Sequence, residues 1–378
     1  MADKENELEV ISNNEIGVAA NESAVAKKKV AENKEPQLSK QEAKAQKKAE
    51  REALKNQKKT TIGGQALIEG IMMCGPSRTA MAVRKGDGTI HVEEIKQSDK
   101  VIFWEKVPFV RGCIKFYKML VTGTGALMKS ADISEEGKPE NESSDKEPEK
   151  VSKLDEYLGK HTEVVTTVSA ILGILISVGL FILLPRFIVD TVMRFTGLND
   201  NGTLKWSVLM NILEGVLRIA IFLIYLISVS KLEDIKRVWM YHGAEHKTIA
   251  CYEAGEPLTV ENIKKHKRFH PRCGTAFMFI VLAISILIYT LTGMVTGDRN
   301  MLTNLIVRII LMPFICGISY EILRFVGRHD QNPICKVLCK PGLWLQKFTT
   351  NEPDDKIIEV AILAMEAVIP ENSNDDNW

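Results

Sequence analysis

The chain has 378 residues, a formal net charge of +1 and a pI near 7.6, so nothing draws it as a whole toward nucleic acid and none is expected as a partner. Hydrophobic residues make up 45% of it, but they concentrate between 162 and 325 and leave both ends polar. The seven cysteines, an odd number without regular spacing, make a poor disulfide framework and read as reduced thiols.

Residues 1–59 are poor in aromatics and rich in Glu, Asn, Lys and Ala. Their last third, KQEAKAQKKAEREALKNQKK, has no apolar face, so the segment reads as a disordered basic and polar tail, with attraction to anionic lipid as the alternative. The first sixty residues hold no apolar core of the kind a cleavable signal peptide needs.

Residues 60–130 read as an α+β region. TAMAV and TIHVEEI are two short strands joined by a turn at Lys85-Gly86-Asp87-Gly88, and the glycines at 63, 64, 70 and 75 mark turns or close backbone approach. Gly63-Gly64 is not followed by the Lys-Ser/Thr of a phosphate loop. Residues 107–131 mix Phe109, Phe116, Tyr117 and Leu120 with Arg111, Lys115 and Lys118. They are too charged to span a membrane and suit a helix lying in its interface, a buried helix of a soluble domain being the alternative. Residues 131–160 carry ten acidic and five basic side chains and read as a disordered linker.

Residues 161–325 contain four apolar spans. Val164–Leu184 and Gly274–Gly293 carry no charge, Trp206–Ser230 carries only Glu214 and Arg218, and Met301–Tyr320 only Arg308; each is long enough to cross about 30 Å of hydrocarbon. Pro185 ends the first span and Pro313 kinks the fourth. Glu214 and Arg218 form an intramembrane pair, either a polar gate or a device that sets helix registration, with Arg308 as a third member. Nine Lys and Arg fall in residues 231–273, against three in 185–205 and one in 294–300. The bias puts that loop and both termini in the cytoplasm of a multi-pass cell-membrane protein. The fold class is mainly α: a polytopic membrane protein with about four transmembrane helices, a small N-terminal β-containing region and a cytoplasmic histidine-rich loop. Residues 326–378 form a C-terminal cytoplasmic segment, in which Trp344 and Leu345 reach the interface and Asp354 caps an amphipathic helix.

The chemistry concentrates in HGAEHKT, residues 242–248. His242 and His246 share a helix face and can meet one metal ion, and Glu245 between them is placed to act as general base. Zinc would bring a bound water's pKa to about 7, within reach of a carboxylate base. His270 and Cys273, in HPRCG, are candidate third and fourth ligands, with Glu253 and Glu261 competing for the third place. His266, inside KKHKR, reads as a solvated charge, and Cys335 and Cys339 as one helix face.

Four stretches, GGQALIEGIMMCGP, YHGAEHKTIACYEAG, HPRCGTAF and PGLWLQKFTTNEPDDKIIEVAI, resemble in sequence and order the YqhQ-like bacterial membrane proteins, over about residues 60–365. That family is a domain of unknown function whose members are often labelled predicted metal-dependent enzymes. The resemblance places His242, Glu245, His246, His270, Cys273 and Glu69 within its motifs. Two functions compete: a metal-dependent hydrolase acting at the cytoplasmic membrane face, and a non-catalytic scaffold or assembly factor with a structural His/Cys cluster. A transporter ranks third, having one intramembrane ion pair and no visible repeat in its favour. Membrane lipid is the expected partner; substrate and oligomeric state stay open.

Overall fold

The computed structural model describes residues 59–96, 103, 107–137, 162–197, 204–296, 301–329, 332–372 and 376. The polar tail, apart from Lys59, and residues 138–160 of the acidic linker lie outside the described residues.

The N-terminal region is a four-stranded antiparallel meander: β1 (Gly63–Leu67), β2 (Gly70–Cys74), β3 (Thr79–Arg84) and β4 (Ile90–Ile95). The expected β3–β4 hairpin forms around the Lys85–Gly88 turn, where Asp87 accepts from Thr89 N and Lys85 N donates to Thr89 O. Gly63, Gly64 and Gly70, read from the sequence as marks of turns or close backbone approach, lie within strands, and the second reading holds for Gly64 and Gly70, where an added Cβ would lie 2.7 Å from Met72 O and 2.5 Å from Ala82 O. The turn itself falls on Glu69, held at φ 52 and clamped by Arg237 and the Tyr241 hydroxyl.

Both faces of the sheet are covered, which explains the unbroken apolar run in β2. Ile71, Met73, Ala80 and Ala82 pack against α5 (Glu233–Glu253) and α10 (Asp355–Glu366) through Tyr241, Ala244, Ile249, Ile357 and Val360. Leu67, Met72, Met81 and Val83 pack on the other side against Ala126 and Ile133 of α1 (Val110–Glu135). Helix α1 therefore runs five residues into the segment read as linker. Its other face leaves Tyr117, Met119, Leu120 and Val121 exposed.

Four helices are long and apolar enough to cross a membrane, with spans at Thr167–Thr196, Val208–Val229, Gly274–Val295 and Leu302–Arg328. The first does not stop at Pro185. Helix α2 (Thr162–Val178) passes through a π-helical turn at Gly179–Leu183 into α3 (Leu184–Thr196). Proline removes a backbone donor and crowds the carbonyl four residues earlier, here that of Phe181, and a widened turn relieves the clash. Arg218 Nε, on α4 (Leu204–Val229), donates to that Phe181 carbonyl at 2.9 Å. The same arginine pairs with Glu214 at 2.6 Å. Arg308, on α8 (Met301–Arg328), takes both oxygens of the same carboxylate. The ring of Tyr289, on α7 (Gly274–Thr296), lies over both guanidinium groups. All three charges are buried. The expected triad is present, and it joins α4 to α8 and to the π turn of the first span.

Helix α6 (Val260–Lys265) lies across the end of α5, and α9 (Pro333–Thr349) packs on α7, with Cys335 and Cys339 buried on one of its faces as expected. Trp344 of α9 is exposed, whereas Leu345 is buried against Phe222 and Leu226 of α4. Asp354 caps α10 by accepting from Ile357 N.

Removing one member of a buried ion cluster strands the others, at a cost of about 3–5 kcal/mol. Glu214→Ala, which leaves two buried arginines without a counter-charge, is expected to cost about that much in denaturant unfolding of the detergent-solubilised protein. Arg218→Met leaves Glu214 paired with Arg308 and strands mainly the Phe181 carbonyl, so its cost should be smaller, about 1–3 kcal/mol.

Candidate metal centre

His242 and His246 stand one turn apart on α5, their rings 4.4 Å centroid to centroid. His242 Nδ1 lies 2.7 Å from the carbonyl oxygen of Thr349, at the end of α9. His246 Nδ1 lies 2.6 Å from the carbonyl oxygen of Arg268, in the segment between α6 and α7. A carbonyl only accepts, so each Nδ1 must donate, and each Nε2 of the neutral ring keeps its lone pair for an inward partner. His242 Nε2 sits 3.2 Å from Cys273 Sγ. His246 Nε2 is buried with no hydrogen-bond partner among the described residues. One ring nitrogen from each histidine and the Cys273 sulfur all lie within 4.8 Å of one another.

Cys273 immediately precedes the first turn of α7, where Thr275 N donates to its sulfur at 3.4 Å. A helix N-terminus favours a thiolate. Burial pushes the thiol up, but the two imidazoles outweigh it and hold Cys273 well below its usual value. Burial likewise opposes protonation of His242; Cys273 and then Glu245 overcome it and lift His242 to about 9. The turn that presents Cys273 is fastened to α9 by Gln346, which accepts from His270 N and donates to His270 O, both at 2.8 Å.

Glu245 lies between the histidines in sequence and faces β1 in space. It is only 5% exposed, and its Oε2 is buried without a hydrogen-bond partner among the described residues. Burial raises its pKa against the pull of His242 and His246, while the Gly64 backbone N–H helps hold the carboxylate. A Cβ at Gly64 would lie 3.0 Å from the Glu245 carboxyl carbon and 2.7 Å from Met72 O. The side chain of Glu245 thus occupies the space that a glycine at 64 leaves open.

The other expected ligands turn elsewhere. His270 Nε2 faces Glu253 Oε2 at 3.6 Å and Arg272 at 3.4 Å, and stands beside His246 rather than among the converging donors. Burial holds its imidazole below the usual value despite Glu253. Glu253 is committed to Thr60 N, at 2.8 Å, and to Arg272. Glu261 lies on the exposed side of α6. His266 is not simply solvated: its Nε2 is 3.3 Å from Glu256 Oε2. The parts that the sequence did not single out are the two carbonyls, Gln346 and Gly243, whereas Gly64 is already marked there for a turn or close backbone approach. A Cβ on Gly243 would run into the Asn351 carbonyl. That close crossing, with Asn351 N donating to Trp239 O at 2.8 Å, lets Thr349 reach His242.

Residues 107–371 match the family described as protein of unknown function (DUF1385). The chain is 34% identical over 318 residues to the uncharacterized protein YqhQ of Bacillus subtilis (strain 168), covering 82% of this chain and 94% of that protein. No solved structure matches. The chain belongs to the DUF1385 family, in agreement with the resemblance read from the four stretches of sequence.

Gly243→Ala should force the 349–351 segment away from α5 and cost about 1–3 kcal/mol as an overpacking change. Gly63→Ala, where an added Cβ meets nothing within 4 Å, should be close to neutral. Thermal melts of the two variants against the parent in one detergent check the difference.

Proposed function

We propose that this DUF1385 protein is a membrane-embedded, metal-dependent hydrolase whose site faces the cytoplasm. The observation that carries the reading is a buried carboxylate with an unpaired oxygen beside three converging soft donors. His242, His246 and Cys273 would hold a divalent cation, and two imidazoles with one thiolate suit zinc. Three protein ligands would leave a fourth position for water, and a bound cation there would supply Lewis-acid activation of that water and of a substrate carbonyl or phosphoryl group. The rest falls to the chain. Glu245 takes the water proton on its free oxygen and returns it to the leaving group, and burial, which raises its basicity, suits that role. Thr349 and Arg268 keep both imidazoles in one tautomer throughout. The cytoplasmic assignment rests on the Lys and Arg of residues 231–273.

A second reading has its own support. His246 and Cys273 are buried, and the cluster lies where the sheet-bearing part joins α7. The same residues would then serve as a fastening in a non-catalytic scaffold. Glu245 separates the two readings.

The protein purified without chelator should carry zinc, and the double change His242→Ala with His246→Ala should remove one equivalent. Glu245→Gln should keep the metal but fail to complement a deletion phenotype, since loss of a general base costs about 10²- to 10⁴-fold in rate. Full complementation with metal retained would favour the scaffold. For orientation, a single cysteine placed at 265 should react with an impermeant thiol reagent only from the cytoplasmic side, and one at 298 only from outside; the reverse pattern would overturn the assignment.

A further inference from the structure

We infer that Cys251, Glu256 and His266 form a second cation site, of the zinc class, distinct from the first. Their sulfur, carboxylate oxygen and ring nitrogen lie within 4.8 Å of one another. The three come from separate places: the last turn of α5, the loop that follows it, and the C-terminal cap of α6. The loop is built to hold them. Gly255 turns it at φ 71. Thr259 caps α6 by accepting from Asn262 N, and Asn262 Nδ2 donates back to Pro257 O at 3.1 Å. Cys251 Sγ points into this loop, 3.6 Å from Pro257 O. His266 Nε2 already faces Glu256 Oε2 at 3.3 Å. The thiol is buried while Glu256 is exposed and His266 partly so, so a cation can enter from solvent and complete its shell with water.

One thiolate, one imidazole and one carboxylate match the donor preferences of zinc. Binding balances by proton release: the thiol gives its proton to solvent as the metal–sulfur bond forms. Burial and then Glu256 push that thiol up to about 11, so the proton is released only as the cation binds. Its position gives it a consequence. His266 lies two residues before Arg268, whose carbonyl orients His246. An ion bridging Cys251 and His266 ties the arm that carries Arg268 to the helix that carries His246. The site itself stands whether or not the first one holds a metal.

The test uses the full chain in detergent, stripped by chelator, given zinc alone, desalted and assayed for bound zinc by mass spectrometry. His266→Ala and Glu256→Gln, both at solvent-reached positions, should each bind one equivalent less than the parent, and Cys251→Ser should match them. The double change His242→Ala with His246→Ala should still bind one equivalent. Parent-level zinc in both His266→Ala and Glu256→Gln, or no zinc in the double variant, would overturn the inference. Parent-level zinc in the double variant would instead sink the first site and leave this one standing.

Discussion

Two backbone carbonyls organise this protein's candidate site. A histidine side chain on a helix surface turns freely between rotamers and tautomers. Here Thr349 O and Arg268 O each accept a hydrogen bond from an Nδ1–H and leave both Nε2 atoms facing inward. The two carbonyls come from opposite directions, one from the end of α9 and one from the approach to α7. Neither could reach α5 without tight packing around it: Gly243 under Asn351 on one side, and the Gln346–His270 exchange holding the α7 approach on the other. Helix α9 and the approach to α7 thus both bear on the direction of two ring nitrogens.

The same logic of supplying partners to stranded polar groups recurs in the membrane-spanning part. Pro185 frees a carbonyl that apolar surroundings cannot satisfy, and Arg218 reaches across from α4 to satisfy it. Buried arginine needs a counter-charge in turn, and Glu214 serves both Arg218 and Arg308. A proline in one span therefore depends on charges in two others. Each of the Glu214 oxygens is engaged, and the arrangement links α4, α8 and the π turn.

Much of this was legible in the sequence, for definite reasons. Charge-free runs of the length of a bilayer are nearly unambiguous, and the pairing of Glu214 with Arg218 follows from helical spacing alone. His242 and His246 share a face for the same reason. What could not be read were contacts between distant segments. Strand periodicity failed for β1 and β2 because β2 is buried along nearly its whole length and glycines recur in both, so the stretch read only as turns or close backbone approach. Pro185 looked like a stop because the π turn that absorbs it has no sequence signature. His270 looked like a ligand because spacing puts it beside Cys273, yet Glu253 and Arg272, one of them seventeen residues earlier in the chain, draw its imidazole away. His266 looked solvated because its partner, Glu256, is reached only once the loop before α6 has folded.

The central claim is that His242, His246 and Cys273 share one metal ion, and the spectrum of that ion tests it most directly. Zinc K-edge X-ray absorption of the His266→Ala variant, in which the second cluster is disabled, should fit one sulfur at about 2.3 Å together with nitrogen scatterers at about 2.0–2.1 Å. Replacing Cys273 by serine in that background should remove the sulfur scatterer. A shell of light atoms alone before that replacement, or a sulfur signal that survives it, would contradict the account.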